Sequence, residues 1–308
     1  MDQVGTFGFW ASKKRLAVLR KSVALAVILA LSLTMIVPLL WMVAISLKDA
    51  QNVFQLPPWR VDWRWANYVD AWYPYGRPAL TGHFWVDVKN LLFEKESFWW
   101  YTWNTVVVTG LSTLGVVLSS SITAFAFARL KFPLRGPLFV VVLGTLMVPA
   151  QVTMVPTYIL FAHLGWTNSF LPLIVPAWLG GGAFNIFLLR QFFMGIPFDL
   201  DEAAKIDGCS TFGIFWRIML PLCMPALVTV GVFSIVYNWN DLLNPLIYLQ
   251  DSSKFTLALG LNQFQSLAGD KTNLMMAAAT VVLLPILVLF FAGQKYFIQG
   301  IATTGLKG

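Results

Sequence analysis

Residues 199–225 read DLDEAAKIDGCSTFGIFWRIMLPLCMP, a polar-bearing interval set between two apolar runs that are each long enough to cross a bilayer. Pro197 closes the helix before it, Asp199 is placed to act as an N-cap, and Glu202 three residues on completes a capping-box pattern ahead of Ala203 and Ala204. The pattern predicts a short helix ending near Gly208, which tolerates a left-handed stop. A second amphipathic segment then runs to Pro221, with Phe212, Phe215, Ile218 and Met219 at helical spacing. The expected result is a helix-turn-helix lying outside the bilayer. The simpler alternative is a capped loop joining two membrane helices.

The chain around this stretch has 308 residues, 58% of them hydrophobic and 11% charged, with a mean hydropathy of +0.70. A soluble domain carries about 25% charged residues, so the balance is that of a polytopic membrane protein, all-α in class. The net charge of +7 does not argue for nucleic acid, because Lys and Arg lie in short clusters at the ends of apolar runs, where membrane topology puts them. Cys209 and Cys223 are too few for a disulfide framework or a four-thiolate metal site and read as small packing residues. His83 and His163 stand far apart with no ligand spacing, so no metal is expected. The absence of a GxxxxGK[ST] phosphate loop implies that this chain binds no ATP or other cofactor and that energy comes from a partner.

Six spans are predicted, at 23–47, 103–127, 138–161, 171–193, 225–249 and 274–297. Together they define a permease-sized membrane domain over 23–297, with an N-terminal tail at 1–22 and a C-terminal tail at 298–308. The first run is too long for a signal-peptide core and is expected to stay attached. The fourth contains Pro172, Pro176 and Gly180-Gly181-Gly182, which fits either a helix broken in mid-membrane or close packing through small residues. The interval 48–102 is polar, balanced in charge and rich in tryptophan. Its segment 84–103 suits a helix in the headgroup region of the outer face, or tryptophans that stack on sugar rings. An even number of spans puts both termini on one side. Lys13, Lys14, Arg15, Arg20, Lys21, Arg129, Lys131 and Arg135 make that side, together with the loop 197–224, cytoplasmic.

Ionisable residues within the spans are nearly missing, which weighs against a proton- or sodium-coupled secondary transporter or a channel. The exception is Asn238-Trp239-Asn240-Asp241 with Asn244, in the outer half of the fifth span. These residues either line a translocation path, where Trp239 stacks on a sugar face, or sit at the lipid interface.

Glu202-Ala203-Ala204, Asp207-Gly208, Ile218-x-Leu220-Pro221 and Pro225 resemble the EAA loop of ABC-type importer permeases; Cys209 departs from the family's usual small residue at little cost. Trp239-Asn240-Asp241 with Pro245-Leu246, and the ending from Tyr296 to Gly308, are similar to the second permease of maltose-type carbohydrate importers, glycerol-phosphate importers sharing these features. The resemblance implies a coupling helix seated in a cytoplasmic ATPase, with Glu202, Ala203, Ala204, Asp207, Gly208 and Pro221 in the contact. It implies a C-terminal tail reaching the ATPases through Gly305 and Lys307. It further implies a second permease, an ATPase dimer holding ATP and Mg, an extracytoplasmic solute-binding protein, and residence among the lipids of a bacterial or archaeal cytoplasmic (inner) membrane. The function expected is import of a sugar, polyol or oligosaccharide.

Overall fold

A computed structural model describes residues 13–305 apart from 56, 58, 74–81, 84–85, 88–89, 91–96 and 268–270. Among the described residues there is no strand, and the regular elements are helices. Helix α1 spans Lys13–Ser46; beyond Lys21 it is apolar on every face, so its side chains from Val23 to Leu40 stay exposed to what would be lipid. After the short α2 (Ala66–Asp70) comes α3 (Phe98–Arg129), the central post. It packs against α6 (Leu171–Trp178) and α7 (Ala183–Gly195), and on another side against α10 (Met224–Trp239). Small and hydroxyl residues make these approaches close. Ser112 and Ser119 of α3 donate to the carbonyls of Leu173 and Ala177 at 2.9 and 3.0 Å, and Thr113 donates to Ser234 at 3.0 Å.

One predicted span is sharply bent and another is interrupted. The third divides into α4 (Arg135–Gly144) with a following 3-10 turn and α5 (Ala150–His163), meeting at 99°. Pro149, extended at ψ 133°, makes the corner. The fourth is broken into α6 and α7 by Gly180, Gly181 and Gly182, with φ of +138°, +69° and +84°. Both readings of that triplet hold at once: the helix is interrupted, and a Cβ on Gly181 would stand 2.6 Å from the Val116 carbonyl oxygen and 2.7 Å from the Ser120 nitrogen of α3. The fifth span differs from its expected 225–249. It ends at Trp239, and a separate α11 (Leu243–Tyr248) restarts where Asp241 accepts hydrogen bonds from Asn244.

Between these lie α8 (Asp199–Ile206) and α9 (Thr211–Leu222), the latter holding a π turn over Phe215–Met219 and meeting α10 at 79°. α12 (Leu257–Leu267) and α13 (Thr272–Gly305) complete the chain, α13 packing against α1 and α10. One apolar cluster sits at the Arg129 end, around Phe125, Leu189, Phe193, Ile214, Phe215 and Met219. A second sits at the opposite end, around Phe98, Tyr101, Trp239, Leu257 and Ala277.

The polar interval after α1 is tied into the bundle. Asn67 donates to the carbonyls of Ser46 and Lys48, both at 2.8 Å, and Asn273 donates to that of Lys48 at 3.1 Å. Backbone and Asn52 hydrogen bonds to Asp62 hold its carboxyl below the usual carboxylate value. Half of the segment 84–103, expected as an interfacial helix, lies outside the described residues. From Phe98 onward it is the first turn of α3, where Trp100 donates to the Ser253 carbonyl at 2.6 Å.

Candidate coupling segment and translocation cavity

The 199–221 stretch is a helix-turn-helix, but its start is not the expected cap. Phe198 occupies the N-cap position with helical φ and ψ and no side-chain cap, so Asp199 is the first helical residue and the Asp199–Glu202 box does not form. The acidic first turn of Asp199, Asp201 and Glu202 instead complements the helix dipole. The turn closes as the sequence predicts: Gly208 is left-handed at φ +79°, and the Cys209 amide reaches the Ala204 carbonyl at 2.8 Å. α9 has the side-chain cap of this region, with Ser210 accepting from the Gly213 amide at 3.1 Å.

Two sides of α8 differ in what they meet. Asp201 and Ala204 are buried, Ala204 within the cluster of Phe193, Ile214 and Phe215. Leu200, Glu202, Ala203, Ile206 and Asp207 are exposed, as are Phe212 and Trp216 of α9. Ile206 stands 86% exposed and Phe212 70%, an apolar surface with the Glu202 carboxylate among it. Pro221 falls in the last turn of α9.

Sequence reasoning did not find what anchors this segment. Arg129, at the end of α3, lies 3.6 Å from Asp201, with both side chains 4% exposed. The same guanidinium donates to the carbonyls of Phe193 and Ile196 at the end of α7, and sits 5.5 Å from the Phe198 ring. Burial pushes the Asp201 carboxyl above the usual carboxylate range, while Arg129 and then Lys205 pull it back. In the sequence Arg129 reads only as a topology charge.

At the other end, α3, α5, α6, α7, α10 and α11 line an open cavity of about 650 Å3. Asn238, Asp241 and Asn244 line it, and so do Asn185, Tyr237 and Tyr248. Asn238 donates to the Ser234 carbonyl at 2.7 Å, and Asp241 accepts from Asn244 Nδ2 at 2.8 Å. Two members of the predicted cluster are elsewhere. Trp239, expected to face the path, is 7% exposed in the apolar cluster with Phe98 and Tyr101 and donates to the Val282 carbonyl at 3.2 Å. Asn240 is exposed and returns its amide to the Val236 carbonyl. A helix turns about 100° per residue, so four consecutive residues cannot share one face. Of the tail pair, Gly305 ends α13 and Lys307 lies outside the described residues.

The architecture has known counterparts. A crystal structure of a bacterial ABC transporter involved in the import of the acidic polysaccharide alginate superposes with a TM-score of 0.73 at 21% identity, covering 94% of this chain and 99% of that one. The probable ABC transporter permease YurM of Bacillus subtilis is 34% identical over 273 residues, 88% of this chain and 83% of its own. The arabinooligosaccharide permease AraQ of the same species is 35% identical over 72% of this chain and 82% of its own. The sn-glycerol-3-phosphate permease UgpE of Yersinia enterocolitica is 33% identical over 84% and 87% respectively. With the pattern of that family matching residues 115–303, this chain belongs to the binding-protein-dependent transport system inner membrane components, as a permease subunit of an ABC-type importer.

Proposed function

We infer that the chain carries a sugar or related polyol through the cytoplasmic membrane as one of two permeases, driven by a separate ATPase dimer that holds the ATP and Mg. The observation that carries this reading is the pairing of an outward apolar and acidic surface on α8 and α9 with a rigid brace, Arg129, that joins it to α3. A cleft on the ATPase would cover Ile206, Phe212 and Trp216 and meet Glu202 with a cation. Closure of the ATPase dimer would push α8, and the bundle would turn the cavity from one side of the membrane to the other. The family's dependence on a binding protein supports solute delivery from outside. Similarity to an arabinooligosaccharide permease supports a saccharide.

This orientation requires both termini in the cytoplasm. A cysteine introduced at Lys307 is expected to resist membrane-impermeant thiol reagents in intact cells and to react after permeabilisation. Labelling in intact cells would reverse the topology.

The coupling itself is tested by purifying the assembled importer with Glu202→Ala or Gly208→Leu. Truncating one partner of a desolvated ionic contact costs about 2–5 kcal/mol, so Glu202→Ala is expected to lower the ATPase retained. Gly208→Leu is expected to lower it further, because a branched side chain disfavours the left-handed turn. Full retention and normal stimulated hydrolysis in both variants would reduce the segment to a connector.

A further inference from the structure

Near its C-terminal end α1 changes surroundings abruptly. Its side chains are exposed as far as Trp41, and then Ile45, Ser46, Leu47 and Lys48 are all buried. Residues 49–68 fold back over them. The Arg64 amide donates to the Leu47 carbonyl at 2.9 Å, Asn67 donates to the carbonyls of Ser46 and Lys48, and the Tyr68 hydroxyl lies 2.7 Å from Ser46 Oγ. Lys48 Nζ in turn donates to the Gln55 carbonyl at 2.9 Å. A collar thus encloses the end of a helix whose remaining surface faces lipid. The outside of this collar is aromatic: Phe54, Trp59, Trp63 and Trp65 are 86%, 77%, 65% and 63% exposed. Trp65 stacks between Trp63 and Tyr68, with ring centroids 6.4 and 6.0 Å away. Trp63 has a left-handed backbone, φ +52°, which a bulky side chain rarely adopts. Its neighbours on both sides are tied down, Arg64 to Leu47 and the Asp62 carboxylate to the Asp49 amide and Asn52.

Position selects what covers these rings. They surround the end of a lipid-facing helix, where hydrocarbon gives way to headgroups, and an indole suits that depth because it joins a large apolar body to one N–H donor. None of the four lines the cavity, so they do not serve a solute in transit there. We propose that residues 49–68 form an interfacial anchor whose ligand is the phospholipid surface, with Phe54, Trp59, Trp63 and Trp65 entering the headgroup layer and fixing the depth of α1. The helix needs such a device, since its main packing partner is α13 alone. From Val23 to Leu47 it runs about 37 Å against a hydrocarbon core of about 30 Å, so without an anchor it would tilt and its end would sink. The inference is the same whichever side of the membrane this face occupies.

Depth-graded quenching tests this. In a protein whose Cys209 and Cys223 are replaced by serine, Phe54→Cys or Trp59→Cys carries a fluorophore, and the assembled importer is placed in phosphatidylcholine vesicles. Quenching is compared for nitroxides on the lipid headgroup, nitroxides midway along the acyl chain, and iodide present on both sides. The headgroup nitroxide is expected to quench both positions several-fold more than either of the others. Iodide quenching equal to that of the free fluorophore, with none from lipid nitroxides, would overturn the proposal and leave the rings to a soluble partner. The depth of α1 is read from a fluorophore on Val43→Cys, with and without Trp59→Ser and Trp63→Gly, glycine being at ease in the left-handed turn. Removing the rings is expected to shift quenching at Val43 from the headgroup nitroxide toward the mid-chain one. An unchanged ratio would show that the collar does not anchor the helix.

Discussion

Replacing Arg129 by alanine is expected to free the 199–221 segment from the bundle. Its guanidinium serves three elements at once: it ends α3, pairs with Asp201 of α8, and donates to the Phe193 and Ile196 carbonyls that finish α7. Removing one partner of a buried ion pair costs about 3–5 kcal/mol, because the charge left behind is uncompensated. Here two carbonyls lose their donor as well. Protonation of Asp201, already favoured by burial, would recover part of that cost. The same logic ranks the variants: Asp201→Asn, which leaves both carbonyl contacts in place, should be milder than Arg129→Ala. Arg129→Lys should fall between them, since an ammonium lacks the planar fork. Proteolysis of the 197–224 loop in detergent and the ATPase retained on purification measure this. Equal behaviour of Arg129→Ala and wild type in both would show that the segment is held by apolar packing alone.

The second large effect is expected at Gly181. An alanine there suffers twice. Its backbone, at φ +69°, is in a region that costs a residue with a Cβ about 1–2 kcal/mol. The added carbon would also stand 2.6–2.7 Å from backbone atoms of Val116 and Ser120 on α3, which cannot rotate aside. Gly180 and Gly182 are also left-handed, but nothing in the surroundings of Gly180 stands within 4 Å, and Gly182 meets only Asn185 at 3.7 Å. Gly181→Ala should therefore lower the melting temperature of the purified protein clearly more than Gly180→Ala or Gly182→Ala. It should also lower uptake by pushing α6 away from α3 beside the cavity. Equal melting temperatures for the three alanine variants would mean that α3 and the α6–α7 break are not in close contact.

The helical spans, the helix-turn-helix of 199–221 and the glycine break were legible because each depends on local pattern: apolar length, a left-handed stop at Gly208, three consecutive glycines. The Asn238, Asp241 and Asn244 face was legible in its residue types, but not in its members. Trp239 is polar-flanked in sequence and buried in space, since neighbours along a helix look in different directions. The Arg129–Asp201 pair was out of reach, because its partners come together only when α3, α7 and α8 are packed. The Asp199 cap failed for a related reason: Phe198, anchored beside Arg129, already takes up helical geometry, and the helix starts one residue earlier than an isolated peptide would favour. The 99° corner at Pro149 needed knowledge of which apolar runs are continuous, and hydropathy averages over the break.

The 79° junction between α9 and α10 at Cys223 has the geometry of a bell crank. α10 is 16 residues long, so it extends about 24 Å from that corner. Swinging it by about 10° carries its Trp239 end sideways through roughly 4 Å, close to the width of a sugar ring. The shorter arm, α9, spans Thr211–Leu222 and is about 18 Å long, so its own tip moves roughly 3 Å. A push on the one arm is thus turned through the corner into a sideways movement of similar size at the far end, and the Asn238 side chain travels with it.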